Sequence, residues 1–101
     1  MRHFKEAKAL YRKMIPVMRR SLGDSDDLTI GTRSGYAEAL CEDPTATLDD
    51  VREAVSTLED VIPTARRVFG PSHPTTAKIE QSLRLSRAAL RNAQNSEAFG
   101  N

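Results

Sequence analysis

The side chains in this sequence best able to bind a metal or carry out covalent chemistry are His3, Cys41 and His73. They lie at least 32 residues apart, whereas zinc ligands in small domains come in closely spaced Cys or His pairs. An activated cysteine also needs a neighbouring His or a positive field, and the sequence places neither beside Cys41. Because no two candidate catalytic groups share a predictable site, we predict a protein without enzymatic activity, cofactor or metal.

Two pairs of arginines are the next candidates for chemistry, at Arg19-Arg20 and at Arg66-Arg67. On parallel helices they would form a basic ridge able to bind phosphate groups or acidic peptides. Basic residues near the C-terminus of a helix also stabilise it, because they face its partial negative charge. We favour this structural interpretation, and nucleic-acid or anion binding stays open as an alternative.

The arginine pairs belong to an internal repeat with an offset of 47 residues. Aligning residues 4–29 with residues 51–76 gives nine identical pairs. These pairs are Glu6/Glu53, Ala7/Ala54, Ile15/Ile62, Pro16/Pro63, Arg19/Arg66, Arg20/Arg67, Gly23/Gly70, Ser25/Ser72 and Thr29/Thr76. A fixed period of about 20–50 residues is typical of proteins built from stacked structural repeats.

Apolar residues recur every three or four positions, which predicts four amphipathic helices joined by short loops. The predicted helices cover about residues 3–22, 26–42, 48–69 and 73–94. We therefore predict an all-α fold of antiparallel helical hairpins, with residues 1–94 as one domain. Residues 95–101 show no apolar period, and we predict that they fray.

Cap and turn residues mark the ends of these helices. Gly23 and Gly70 each follow a last apolar position, where a helix often ends in a left-handed glycine. Ser25 and Thr47 are the predicted N-caps of the second and third helices. The face of the second helix that we expect to be buried is Leu28 or Thr29, with Thr32, Tyr36, Ala39 and Leu40.

The composition gives no general attraction to nucleic acid or to an anionic membrane, because the net charge is only +1. Cys41 is the only cysteine, so no internal disulfide can form. The N-terminal residues lack the apolar run of a signal peptide, and no segment has the roughly 18 apolar residues that a membrane-spanning helix needs. We therefore expect a cytoplasmic protein that does not contact membranes.

Two segments of the repeat match a known pattern: Ala-Val-Ser-Thr-Leu at residues 54–58, and Arg-Arg-Val-Phe-Gly-Pro-Ser-His-Pro-Thr-Thr at residues 66–76. They resemble tetratricopeptide repeats of the kinesin-light-chain type, in which an Arg-rich turn ends one helix and His-Pro-x-Thr opens the next. Residues 7–29 are similar, with Asp26-Asp27 in place of His-Pro. The resemblance implies one complete repeat at residues 26–69 and a half repeat on each side, stacked as a short superhelix of four helices.

Proteins of this family bind peptides or partner helices on the concave surface formed by the first helix of each repeat. The resemblance therefore implies a non-enzymatic interaction or scaffold module with a protein or peptide partner. The implied partner-binding residues are Ser34, Glu38, Cys41, Glu42, Lys78, Gln81, Ser82 and Leu85. The same mapping adds Gly31, Gly35 and Ala89 to this surface.

Other functions stay open beside the binding of a peptide. Kinesin light chains often carry asparagines that hold the backbone of a ligand, and the corresponding positions here are Ser34-Gly35 and Gln81-Ser82. A self-assembling structural unit, joined through its exposed end helices as a homo-oligomer, is a further alternative to peptide binding.

Overall fold

The computed structural model describes residues 3–100, with side chains described for residues 3–95. It contains the helices α1 (Phe4–Ser21), α2 (Asp27–Glu42), α3 (Leu48–Phe69) and α4 (Pro74–Gly100). All regular elements in the described range are helices, which confirms the predicted all-α fold. Each helix packs against the next, α3 contacts both α2 and α4, and α2 also meets α4 along one edge.

The start of α2 differs by one residue from the predicted cap. Asp26 is the N-cap, and its carboxylate accepts a hydrogen bond from the amide of Leu28 at 2.9 Å. Predicting Ser25 as the cap was therefore wrong, since the carboxylate of the next residue supplies the cap. The Ser25 hydroxyl instead accepts a hydrogen bond from the Arg67 guanidinium at 2.8 Å.

The start of α3 and the joints after α1 and α3 follow the sequence closely. Thr47 caps α3 as predicted and forms a capping box with Asp50. Gly23 and Gly70 have φ angles of 88° and 102°, a backbone region that favours glycine. These local signals lie within a few residues of the ends that they set, so the sequence alone was enough to find them.

The helix α4 continues to Gly100, so its predicted end near Gln94 was wrong. No proline or glycine interrupts residues 94–99, and a helix extends until a residue or a tertiary contact stops it. The predicted fraying of residues 95–101 stays a prediction, and Asn101 lies outside the described residues.

The core lies between α2, α3 and α4. Its largest fully buried apolar side chains are Leu58 and Val61 of α3 with Ile30 and Leu40 of α2, each at most 1% exposed. Burying one such side chain stabilises the fold by about 1.5–3 kcal/mol. In contrast, none of the residues of α1 is fully buried, although the helix carries a clear apolar face.

The buried face of α2 was only partly predicted. Tyr36, Leu40 and Thr29 are buried, whereas Leu28 is 60% exposed. The prediction missed Ile30, Ser34 and Ala37. Because α2 contacts α1, α3 and α4, its buried residues surround much of the helix and do not follow one apolar stripe.

A polar cluster ties α1 to the loop between α2 and α3. The carboxylate of Asp43 accepts hydrogen bonds from the amide and the hydroxyl of Thr45 at 2.9 and 2.8 Å. The ammonium of Lys8 lies 3.2 Å from Asp43 and 3.6 Å from Asp50. Asp43 and Lys8 are largely buried, so this cluster stabilises the loop only while the carboxylates are ionised.

We expect acid to destabilise the fold through Asp43 and Asp50. The amide and hydroxyl of Thr45, followed by Lys8, hold the pKa of Asp43 below its usual value. The amide of Thr47 does the same for the pKa of Asp50. A lowered native pKa contributes stability above the unfolded-state pKa of about 3.9, and that stability is lost as the pH falls through the native pKa.

Thermal unfolding between pH 5 and pH 2 measures this effect. The chain should lose stability below about pH 4, and Asp43→Asn should lose it less steeply because it takes up one proton fewer on unfolding. An equal pH slope in the two proteins would contradict the role of Asp43.

Candidate functional site

The surface shared by α2 and α4 contains two adjoining depressions. The first, of about 120 Å³, is lined by Gly31, Ser34, Glu38, Thr75, Lys78, Ile79 and Ser82. The second, of about 110 Å³, is lined by Glu38, Cys41, Glu42, Ser82, Leu85 and Ser86. Glu38 and Ser82 line both depressions, so the two form one continuous groove between the helices. We refer to it as the α2–α4 groove.

The structure brings together seven of the eight residues that the sequence assigned to a partner surface. Those that line the groove are Ser34, Glu38, Cys41, Glu42, Lys78, Ser82 and Leu85. Gln81 is exposed but lines neither depression, because it lies about 100° around the helix from Ser82. The grouping of the seven is a structural finding, and their binding of a partner stays a prediction.

Two further residues that the sequence assigned to this surface do not line the groove, and three residues that line it were not predicted. Gly35 faces α1, where an added Cβ would lie 3.0 Å from the hydroxyl of Tyr11, and Ala89 lines neither depression. The missed residues are Thr75, Ile79 and Ser86. Each of them lies three or four residues from Lys78 or Ser82, so the helical period could have found them.

Hydrogen bonds within the chain engage several of the groove residues. The hydroxyl of Ser34 is buried and donates to the carbonyl of Ile30 at 2.9 Å. The thiol of Cys41 donates to the hydroxyl of Ser86 at 3.4 Å and so links α2 to α4. Ser34 is thus occupied by its own helix and does not replace an asparagine that holds the backbone of a ligand.

The charged side chains at the rim differ between the two walls. Glu38 and Glu42 come from α2, whereas Lys78 comes from α4. Leu85 adds an apolar side chain that is 64% exposed. An isolated exposed leucine is common, but here it borders a groove with one acidic and one basic wall. This arrangement can orient a short peptide by charge and hold it by apolar contact.

The arginine ridge is largely engaged within the chain. Arg19 pairs with Asp24 at 2.7 Å, and this contact lowers the pKa of Asp24. Arg66 donates to Glu80 at 2.8 Å, and Arg67 is bound to Ser25. The two ion pairs offset part of the charge of the ridge, and all three contacts lie at the joints between hairpins, which favours the structural interpretation over anion binding.

His73 also has a structural role. Its Nδ1 atom accepts a hydrogen bond from the amide of Thr75 at 3.0 Å, and its ring stacks near Phe69. It therefore caps α4 at the position that Asp26 holds in α2, 47 residues earlier. No group of three or more His, Cys, Asp or Glu side chains in the described part of the chain could hold a metal ion.

The comparison with known families gives a match over part of the chain. The family model of the tetratricopeptide repeat matches residues 46–75, which cover α3 and its joint with α4. No curated protein and no solved structure matches the chain. The match and the stacked hairpins together support a tetratricopeptide repeat, a class that generally mediates protein–protein interaction or scaffolding and is generally non-enzymatic.

None of the helices, over the residues that the structure describes, is long and apolar enough to cross a membrane.

Proposed function

We propose that this chain is a non-enzymatic, cytoplasmic interaction module of the kinesin-light-chain-like type that binds a peptide or partner helix in the α2–α4 groove. The observation that carries the proposal is that Glu38 and Ser82 line both depressions between α2 and α4 and so make them one groove. From Gly31 to Glu42 the groove follows α2 for about 16 Å, since a helix rises about 1.5 Å per residue. An extended peptide covers that length with about five residues.

The chemistry of the walls indicates which peptides fit. Glu38 lies at the junction of both depressions, so a Lys or Arg of the peptide would bind there. Ile79 and Leu85 offer apolar contact on the α4 side. The groove is short and shallow, so a single motif binds weakly, and tight binding requires a longer partner or several motifs.

A random peptide library displayed on phage, selected against the purified chain, provides the probe for this proposal. We expect enriched peptides to contain a basic residue next to an apolar one. Glu38→Lys should weaken the binding of a selected peptide about tenfold or more, because it reverses the charge at the centre of the groove.

Two exposed leucines give a matched pair of variants for the same measurement. Leu85→Gln removes apolar contact inside the groove, whereas Leu28→Gln changes a residue of α2 that is 60% exposed and lies outside it. The first should weaken peptide binding, measured by fluorescence anisotropy, and the second should not. If the selected peptides bind Glu38→Lys, Leu85→Gln and Leu28→Gln with the same affinity, the peptides bind a surface other than the α2–α4 groove, and the proposal is wrong.

A further inference from the structure

Two further depressions of the described structure occupy equivalent places in successive repeats. One, of about 480 Å³, lies between α3 and α4, and the other, of about 230 Å³, lies where α1, α2 and α3 meet. Six lining residues of the smaller depression match lining residues of the larger one at the 47-residue offset. The pairs are Arg12/Glu59, Ile15/Ile62, Pro16/Pro63, Arg19/Arg66, Arg33/Glu80 and Tyr36/Leu83.

The two depressions differ in their third wall. Glu53 and Thr57 of α3 close the smaller one, whereas the larger one is lined by residues of α3 and α4 alone. The open face of α3 and α4 is therefore equivalent to the face of α1 and α2 on which α3 packs. We refer to it as the α3–α4 face.

The helix within this chain that is equivalent to α3 is α1. Seven residues of α3 are buried, and their counterparts in α1, 47 residues earlier, are all only half-buried. These counterparts are Phe4, Ala7, Lys8, Tyr11, Met14, Ile15 and Met18. Leu10 and Val17 of α1 are also 55% and 51% exposed. Thus α1 retains apolar surface that a second helix can cover.

We propose that α1 of a second copy packs on the α3–α4 face of the first, in the place that α3 takes on α1 and α2. Leu10, the counterpart of Thr57, would then lie over Ile62, Pro63 and Leu83. The contact joins two different surfaces of the same chain, so it is head-to-tail and adds copies without closing a pair.

Two contacts of α3 have matching counterparts at this junction. Arg67 of α3 donates to Ser25, and the counterpart pair is Arg20 of one copy with Ser72 of the other, the same residue types. Arg20 is exposed and makes no hydrogen bond or ion pair with the described residues. The guanidinium of Arg20 can therefore donate to the hydroxyl of Ser72 in the second copy.

The second contact is an ion pair with exchanged signs. Arg33 of α2 binds Asp60 of α3 at 2.8 Å. The counterparts are Glu80 on the α3–α4 face, whose carboxylate also accepts from Arg66 of its own copy, and Lys13 of the incoming α1. The charges are reversed on both sides, so the pair remains complementary.

Two residues of the α3–α4 face differ in type from their counterparts in α2, and this difference weakens the junction. Arg84 and Arg87 line the α3–α4 face where α2 has Ala37 and Leu40, both fully buried. Arg87 already binds Glu59 at 2.8 Å, and this ion pair reduces the negative charge that Glu6 of the second copy, the counterpart of Glu53, would meet there. Long arginine stems pack less well than a core alanine and leucine, so the association is weak and depends on concentration.

Sedimentation equilibrium of the 101-residue chain over a wide concentration range tests the proposal. We expect the average mass to rise with concentration and to pass that of a dimer. Leu10→Glu blocks the α1 end, and Ala77→Arg blocks the α4 end at the counterpart of the buried Ile30. Each variant alone should be monomeric, and an equimolar mixture should form a one-to-one dimer and no larger species.

Variants that change the charge or the packing of the junction give a second test of association. This test compares single and double variants, so it does not depend on whether any one variant is stable. Lys13→Glu and Glu80→Lys should each weaken association about tenfold, and the double variant should restore it. Arg84→Ala with Arg87→Leu should strengthen association, since it restores the residue types of α2.

A mass that stays monomeric in the parent chain and in the Arg84→Ala, Arg87→Leu variant would overturn the proposal and leave this face to a helix of another protein. A closed dimer of the parent chain that persists in each end-blocked variant would overturn it as well. Peptide binding tests the proposed function separately, because none of these substituted residues lines the α2–α4 groove.

Discussion

Leu58→Ala is expected to lower the free energy of unfolding by about 2–5 kcal/mol, the usual range for truncating a buried leucine. Leu58 is fully buried at the middle of α3, the helix that packs against both α2 and α4. Truncation leaves a cavity that close-packed neighbours fill only in part. A domain of this size has a total stability of about 5–15 kcal/mol, so the loss is a large part of it.

Urea unfolding monitored by circular dichroism measures this loss. Leu28→Ala is the matched control, because the same side chain is 60% exposed on α2 and its removal leaves no cavity. The control should change stability by less than about 0.5 kcal/mol. Similar shifts in the two variants would mean that α3 is not the centre of the core.

Tyr36→Ala is expected to cost about 3–5 kcal/mol, because it removes an aromatic ring at the contact of three helices. Tyr36 is 5% exposed, and its ring lies 5.7 Å from that of Tyr11. Its hydroxyl donates to the carboxylate of Glu53 and accepts from Nε of Arg12 at 2.9 Å. Burial, followed by the hydrogen bond to Glu53, raises the pKa of Tyr36, so the hydroxyl stays protonated at neutral pH.

Two further variants separate the ring from the hydroxyl. Tyr36→Phe keeps the ring and should cost about 1–3 kcal/mol for the lost hydrogen bonds. Tyr36→Leu should fall between Phe and Ala, since the chain itself places Leu83 at the equivalent position of the next repeat. Thermal unfolding gives the order, and an equal loss for Phe and Ala would show that the hydroxyl contributes the whole effect.

The sequence predicted the helices well where local signals define them. The 47-residue repeat, the capping box of Thr47 and the left-handed glycines at 23 and 70 fix the joints from a few neighbouring residues. The errors at Ser25 and Gln94 are errors of helix ends, where neighbouring residues compete for the cap or no residue stops the helix.

The groove was predicted less completely than the helices. Its central residues, such as Glu38 and Ser82, follow from placing α2 and α4 side by side as the family resemblance implies. The roles of Ser34 and Cys41 did not follow, because a hydroxyl bonded within its own helix and a thiol bonded across to Ser86 depend on the packed geometry. The same reason explains why Gly35 was placed in the groove although it faces Tyr11.

The sequence by itself determined that this chain forms helical hairpins in a repeat, since apolar period, caps and turn glycines act over short distances along the chain. Only the tertiary structure decided which faces meet. It set Arg12, Tyr36 and Glu53 together from three helices and joined two depressions into the α2–α4 groove. Among the described residues, no third helix covers the α3–α4 face as α3 covers its equivalent. Such contacts depend on the relative placement of whole helices, which no local pattern specifies.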